Sequence, residues 1–320
     1  MNPKKMMIIG AGPMAVDYTK VLKAMDIEPL VIGRSLASCQ EFENQTGVKA
    51  ISGGIEKFLQ DSSIELSDYP AIVASHEKNI GEVSKFLMAH GAKKLLVEKP
   101  GGFDVADILS VRDEAKKIQA DVYVGYNRRF YQSVKKAQQI IAADGGVKSF
   151  HFEFTEWSHV ISPLKKEEGV KEQWFLSNST HLIDLAFYLG GKPQLLNAHV
   201  GGQLDWHPYG SIFVGAGQTE QGALFSYHSN WEAPGRWSLE VLTNLHRLIF
   251  KPLESLSIQN IGSVQIEAVE LDNQLDKDFK PGLYQQVEAF LNDDVSIIQK
   301  IDGQAEMLYW FEKIRQVNSF

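Results

Sequence analysis

Cysteine is almost absent. Cys39 is the single one in 320 residues, so no intramolecular disulfide can form and no cysteine-rich metal site can be built. A solitary thiol suits a reducing compartment, and a cytoplasmic location is the expectation. Positive charge is also in deficit: 32 Lys plus Arg stand against 40 Asp plus Glu, a net charge of -8. That balance argues against a general binder of nucleic acid or of anionic membranes. No apolar run approaches the roughly 20 residues that cross a bilayer. The apolar stretch in MNPKKMMIIGAG passes straight into a glycine-rich turn in place of a signal-peptide cleavage region. HExxH and GxSxG are both missing, and the nine histidines show no paired-ligand spacing. A zinc site and a serine-hydrolase elbow are therefore not expected.

What is present is the composition of an ordinary globular protein, 44% hydrophobic and 22% charged, and at about 150 residues per domain the length predicts two domains. Apolar residues at 5–9 precede GAGPMA at 10–15, which opens a helix to about Met25, and PLVIG follows at 29–33. This is the spacing of a βαβ unit. Helix-like segments at 36–45, 55–60, 80–90 and 104–118 alternate with strand-like ones at 48–52, 71–75, 93–99 and in DVYVGYN. The alternation predicts a mostly parallel sheet in a first domain, 1–124.

The rhythm then changes. A helix at 131–142, the strand KSFHFEF and a helix at 175–189 precede strand-like segments at 194–200, 210–216, 222–229, 236–242, 246–250 and 255–258. They predict an open, largely antiparallel sheet with helices on one side, in a second domain at 125–320. Helices at 281–292 and 303–316 close the chain. The expected fold class is α/β, a dinucleotide-binding domain followed by a mixed α/β domain.

Gly10-Ala11-Gly12-Pro13-Met14-Ala15 has the form GxGxxA directly between a strand and a helix. Gly10 permits the tight turn, Gly12 lets the backbone approach a pyrophosphate, and Ala15 allows close helix packing, while the helix amino terminus offers N–H groups to the anion. At the end of the second strand, where an acidic residue commonly receives the ribose hydroxyls of NAD, the chain has Gly33-Arg34-Ser35. Arg34 can pair with the extra phosphate of NADP, and Ser35 can add a hydrogen bond, so NADP(H) is the expected preference and NAD(H) the alternative. The competing reading of Arg34 is a solvated surface arginine that tolerates both.

Glu98-Lys99-Pro100 lies just beyond a predicted strand, at the carboxyl edge where open α/β sheets place ligands. Lys99 there can hold a substrate hydroxyl and stabilise developing alkoxide charge, with Pro100 restricting the backbone that presents it. A surface lysine before a turn proline is the plain alternative. His181 and Asp184 stand three positions apart on a predicted helix face. A neutral His181 can exchange a proton with a secondary alcohol or a carbonyl, and Asp184 can orient its surroundings. Alternatively His181 only caps or packs the helix.

In order, GAGPMA, Glu98-Lys99-Pro100 with Gly101 and Gly102, GYNRRF at 125–130 and HLID at 181–184 resemble the Gfo/Idh/MocA family of NAD(P)-dependent sugar and cyclitol oxidoreductases, over nearly the whole chain. The resemblance implies an N-terminal Rossmann domain and a C-terminal substrate-binding domain. It further implies that the sheet of the latter, which in the family often forms an oligomer interface, makes a homo-oligomer here, and that the final helix returns toward the Rossmann domain. It identifies Lys99 with the lysine beside nicotinamide and substrate, and His181 with the acid/base or substrate-orienting histidine. Gly10, Gly12, Pro13, Met14, Arg34, Ser35, Ser75, His76, Glu98, Lys99 and Arg129 become the expected cofactor contacts. Arg128 and Arg129 match a basic pair with structural or cofactor-adjacent roles.

Two departures stand out. Position 177 is Ser where the family commonly has an aspartate, and a hydroxyl cannot serve as a carboxylate base. The family's TPN segment is replaced by Ala74-Ser75-His76 with Asn79 further on, so cofactor contacts there are expected to differ. The resulting expectation is reversible hydride transfer between a nicotinamide cofactor and a small polyhydroxylated substrate: a sugar, a cyclitol or a nucleotide sugar. Lys99 and His181 would be catalytic, Ser177 and Asn178 would orient hydroxyls, and Trp157 would pack on a sugar face. Trp174, Trp231, His207, His228 and Asn230 are further surfaces for stacking or hydrogen bonding, or equally core residues. Ser177 motivates the alternative of a nucleotide-responsive regulator or binding protein without turnover.

Overall fold

A computed structural model describes residues 3–316 and divides into two compact units. One takes the chain up to Asn127 together with Lys277–Glu306, and the other takes Arg128–Asp276 and the chain from Met307 onward.

The first unit opens with β1 (Lys5–Ile9), α1 (Pro13–Ala24), β2 (Glu28–Ile32), α2 (Leu36–Thr46), β3 (Ala50–Ile51) and α3 (Gly54–Asp61). It continues through β4 (Ala71–Val73), α4 (Ile80–Ala89), β5 (Lys94–Glu98), α5 (Val105–Ile118) and β6 (Asp121–Gly125). The second unit holds α6 (Gln132–Ala143), β7 (Ser149–Glu153), the short α7 (Ser158–Ile161), a π-helical turn at Phe175–Ser179 and α8 (Thr180–Gly190). Strands β8 (Pro193–Gly201), β9 (Ile212–Thr219), β10 (Leu224–Asn230), β11 (Ser238–Leu242), β12 (His246–Phe250), β13 (Ser257–Asn260) and β14 (Ile266–Ala268) follow. After α9 (Gln274–Asp278) the chain supplies α10 (Leu283–Leu291), β15 (Gln299–Lys300) and α11 (Ile301–Arg315).

The strands of the first unit are continuous apolar runs, as a sheet covered on both faces requires. Met7, Ile8, Val31, Ile72, Leu95, Leu96, Val97, Val122 and Val124 are all buried. They pair in the order β15-β6-β5-β4-β1-β2-β3, parallel throughout except for β15 against β6. The order reverses around β1, which lies between β2 and β4. In such sheets the crevice at that reversal, at the carboxyl ends of the strands, is where ligands bind. The helices start and stop as their sequences dictate: Ser35 caps α2 by accepting the Ser38 N–H at 3.1 Å, and Gly47 ends it in the left-handed conformation.

The second unit is one eight-stranded sheet, in the order β14-β13-β12-β11-β7-β10-β9-β8, antiparallel except where β10 runs parallel to β7. Alternation along β7 buries Phe150 and Phe152 on one face and leaves Ser149, His151 and Glu153 on the other. The buried face is aromatic: Phe187 of α8 meets Phe225 and Phe152 edge-to-face at 5.1 and 5.8 Å between ring centroids. The α/β class, with a Rossmann-like first part and a largely antiparallel second sheet, is as the sequence predicts. Where one helix was expected over 175–189, the chain makes a π-helical turn and then α8. The elements β14, β15, α7 and α9 are too short for periodicity to reveal. No helix among the described residues is long and apolar enough to cross a membrane.

Candidate active site

The turn after β1 is shaped by contacts that only glycine allows. The Gly10 N–H donates to the Ile32 carbonyl at 2.8 Å and its φ is +125°. A Cβ there would lie 2.2 Å from the Ala74 carbonyl oxygen. Gly12 is different: its backbone is extended, and nothing lies within 4 Å of where its Cβ would stand. The first turn of α1, with Pro13 and Met14 leading and Ala15 fully buried behind, thus has open space before its free N–H groups. Ser75, just past β4, carries a buried hydroxyl with no hydrogen-bond partner among the described residues. An unobstructed helix amino terminus together with an orphaned donor fits a dinucleotide's phosphates and ribose. His76 is exposed at the start of a 3-10 turn, where its carbonyl accepts the Asn79 N–H at 2.8 Å.

Beyond β5, Glu98 is engaged from behind. Its carboxylate accepts the Tyr18 hydroxyl at 2.6 Å, and that hydroxyl accepts Gln286 Nε2 at 2.9 Å. Burial, then the charge of Glu98, pushes the Tyr18 phenol well above its ordinary value, so it stays a donor. Lys99 follows, half-buried, in a turn closed by the Gly101 N–H on the Glu98 carbonyl at 3.1 Å. Gln304 Nε2 holds the Pro100 carbonyl at 3.0 Å, and the Lys99-Pro100 peptide is cis. A Cβ on Gly102 would lie 2.8 Å from the Ile108 amide nitrogen, so the turn is packed directly against α5.

In the second unit the π-helical turn delivers Ser177 and Asn178, both half-buried, one turn before His181. His181 is 8% exposed and its ring centroid lies 6.3 Å from that of Trp237. The carboxylate of this neighbourhood is Glu156, three residues past the end of β7 and 2% exposed. Its Oε1 accepts Asn178 Nδ2 at 2.9 Å and the Ser179 hydroxyl at 2.8 Å. Burial pushes its carboxyl up, against those two hydrogen bonds and the charge of Arg236. Trp157, 44% exposed, is fixed by its Nε1 donating to the Gly235 carbonyl at 2.8 Å. Arg236 stacks on it at 4.6 Å.

Asp184 points elsewhere than to the histidine. It takes Arg129 in a bidentate pair, Nε to Oδ2 at 2.8 Å and Nη2 to Oδ1 at 2.6 Å, while the same guanidinium lies 4.6 Å over the Tyr188 ring. Trp231 and His207 are buried together, ring centroids 4.7 Å apart, and Trp174 meets Trp206 edge-to-face at 6.2 Å. Asn230 is half-buried at the end of β10, and His228 on the same strand is exposed. Among the described residues no group of three or more His, Cys, Asp or Glu could hold a metal. Sequence reading missed Glu156, Arg236 and Trp237. A carboxylate set between a phenylalanine-rich strand and Trp157 was the available hint for the first. It also missed Lys280, whose Nζ donates to Met14 Sδ at 2.9 Å beside the glycine turn and lies 3.5 Å from Asp17. No local signal links positions so distant in sequence.

No family model matches the chain. Myo-inositol 2-dehydrogenase of Thermotoga maritima is 22% identical over 190 residues, 58% of this chain and 54% of that enzyme. The match thus spans about half the length of the curated relative. Among solved structures, levoglucosan dehydrogenase in complex with NADH and L-sorbose superposes with a TM-score of 0.76 at 17% identity, covering 99% of this chain and 96% of its own. The WlbA dehydrogenase of Chromobacterium violaceum, in complex with NADH and UDP-GlcNAcA, gives 0.73 at 14%, covering 99% and 94%.

These neighbours overturn the NADP(H) preference read from Arg34 and Ser35, because they are captured with NADH. Physically, the Ser35 hydroxyl is already committed: it caps α2 and lies 2.8 Å from the Ser38 hydroxyl. Arg34 is exposed, the solvated alternative. The relatives and fold neighbours of this chain are Gfo/Idh/MocA-type oxidoreductases of sugars, cyclitols and nucleotide sugars, the family that its ordered motifs resemble.

Proposed function

We propose that the protein is an NAD(H)-dependent oxidoreductase acting on a secondary alcohol or carbonyl of a sugar-like, cyclitol or nucleotide-sugar substrate. The observation that carries this reading is the turn at Gly10–Gly12, where one glycine is forced by the Ala74 carbonyl and the other leaves the helix amino terminus open. Gly10, Gly12, Pro13, Met14, Ser75 and Lys280 would hold the dinucleotide, which when bound supplies the hydride acceptor or donor. Lys99 would stabilise negative charge on the substrate oxygen, and His181 would exchange the oxygen's proton. Asn178, held by Glu156, and Ser177 would orient neighbouring hydroxyls. Arg129 and Asp184 would set the helix that carries His181 without touching substrate.

The test begins with protein stripped of cofactor and titrated with NADH and NADPH by fluorescence, followed by a turnover screen of sugars and cyclitols with NAD+. Lys99→Ala and His181→Ala, both folded and binding NADH, are expected to lower the chemical step by about 100-fold or more. Near-normal rates in either variant would remove that residue from the mechanism. Absence of NADH binding by the wild-type chain would remove the reading itself.

A further inference from the structure

Trp157, Arg236, Trp237 and Arg128 form a run of alternating indole rings and guanidinium groups within the second unit. The Arg236 guanidinium carbon lies 4.6 Å from the Trp157 ring centroid and 5.3 Å from that of Trp237. Arg128 lies 4.7 Å over Trp237. A guanidinium stacked by its face keeps the in-plane N–H donors of its edge available. Among the described residues neither Arg128 nor Arg236 donates a side-chain hydrogen bond to the protein, in contrast to Arg129, whose fork is filled by Asp184. Two desolvated or half-desolvated cations with unused forks form a cradle for an oxyanion.

The nearby carboxylates do not fill it. Glu156 spends Oε1 on Asn178 and Ser179, and its Oε2 stands 3.8 Å from Arg236 Nη1, beyond hydrogen-bond reach. Glu254 is exposed, where its charge is screened. Burial, with Arg236 adding like charge, pulls the Arg128 guanidinium below its ordinary value against Tyr131, Glu254 and Glu156, the condition that a bound anion would relieve. The cradle adjoins the candidate acid/base, because the same Trp237 ring lies 6.3 Å from that of His181.

We infer that Arg128 and Arg236 form an oxyanion subsite, and that the substrate is an acidic sugar derivative bearing a carboxylate or a phosphate beside the carbon that reacts. This rests on the second unit being the substrate half of the proposed oxidoreductase. Trp157, braced by Gly235, would pack against the sugar face while the two forks fix the anion, so the subsite sets specificity and takes no part in the chemistry.

The experiment is calorimetric titration of the whole chain, with and without NADH, using D-glucose, D-glucuronate and glucose 6-phosphate as probes. At least one anion is expected to bind about tenfold or more tightly than glucose, and which one does so identifies carboxylate or phosphate as the group read. In Arg236→Met, with unchanged NADH affinity and thermal midpoint as evidence of folding, that preference should fall below about threefold, and Arg236→Lys should restore part of it. Equal binding of the three probes, no binding of either anion, or a preference that survives Arg236→Met would overturn the inference. Loss of NADH binding in the wild-type chain with the anion preference intact would count against the redox reading and leave the subsite standing.

Discussion

Arg129 and Asp184 show how little a side chain's type says about its use. Both occur in motifs that invite a functional role, yet the two join in a bidentate pair, with 10% and 2% side-chain exposure. A buried pair of this kind contributes little relative to an apolar replacement of the same shape, but removing one partner strands a charge. Asp184→Asn keeps the volume and takes away the counter-charge, and should lower stability by about 3–5 kcal/mol in urea denaturation. A change of less than about 1 kcal/mol would mean that the guanidinium is satisfied without Asp184 and that the pair does not set α8. The same comparison separates Arg129 from its neighbour Arg128, identical in type and adjacent in sequence. Only the spatial partners distinguish them, and these were not legible from the sequence.

At the scale of an element, the turn from β1 to α1 makes its own contrast. Gly10 cannot carry a side chain, because of both its φ and the Ala74 carbonyl, so Gly10→Ala should cost about 1–3 kcal/mol or more and abolish NADH binding with it. Gly12 has an ordinary φ and empty space before it. Gly12→Ala should leave the thermal midpoint within a degree or so of wild type while weakening NADH by about tenfold or more, because the methyl occupies the approach to the helix amino terminus. NADH affinity unchanged in Gly12→Ala would place the pyrophosphate elsewhere.

This element was legible because its constraints are local. A strand, two glycines and a helix start lie within a dozen residues, and backbone sterics leave few ways to join them. The same holds for the apolar strands of the first sheet and for β12, expected over 246–250 and found at His246–Phe250. The helix at 175–189 was only half legible, since the π-helical turn at Phe175–Ser179 is not marked by periodicity. Its Asn178 and Ser179 side chains donate to Glu156, which arrives from the loop after β7. Arg236 beside Trp157 and Lys280 beside Met14 were hidden for that reason too. Each depends on chain segments that meet only after folding, and no spacing rule covers such pairs. The NADP(H) reading failed on a related point: the sequence offers Ser35 as a free donor, whereas at the start of α2 its hydroxyl accepts the Ser38 N–H and lies 2.8 Å from the Ser38 hydroxyl.

For the molecule as a whole, the buried polar groups set how stability follows pH. His207 is fully buried among Trp206, Tyr209, Phe213 and Trp231, with Nδ1 2.8 Å from the Gly210 carbonyl and Nε2 without a partner among the described residues. Protonating Nε2 would create a charged donor with no acceptor. Burial, helped by the charge of Arg315, accordingly brings the imidazole down to about 4 against the hydrogen bond to Gly210, which acts in the opposite direction. Between that value and the unfolded one near 6.5 the unfolded chain holds a proton that the folded chain refuses, so folding weakens as pH falls through this window. The full effect is up to about 3 kcal/mol. Asp144 and Asp293 add to the loss at lower pH. Burial pushes both carboxyls up, but hydrogen bonds from Thr243 and His246 in one case, and from Lys94 and Tyr123 in the other, bring them below their ordinary value. Their contribution is present above the unfolded carboxylate range and is lost as pH falls toward the folded values. Urea midpoints measured at pH about 7 and about 5 should therefore fall in the wild type. They should fall much less in His207→Asn, whose amide can keep the bond to Gly210 and has no proton to gain. If the variant loses stability between those pH values as steeply as the wild type, the acid sensitivity of this fold originates at other groups and the imidazole is not its source.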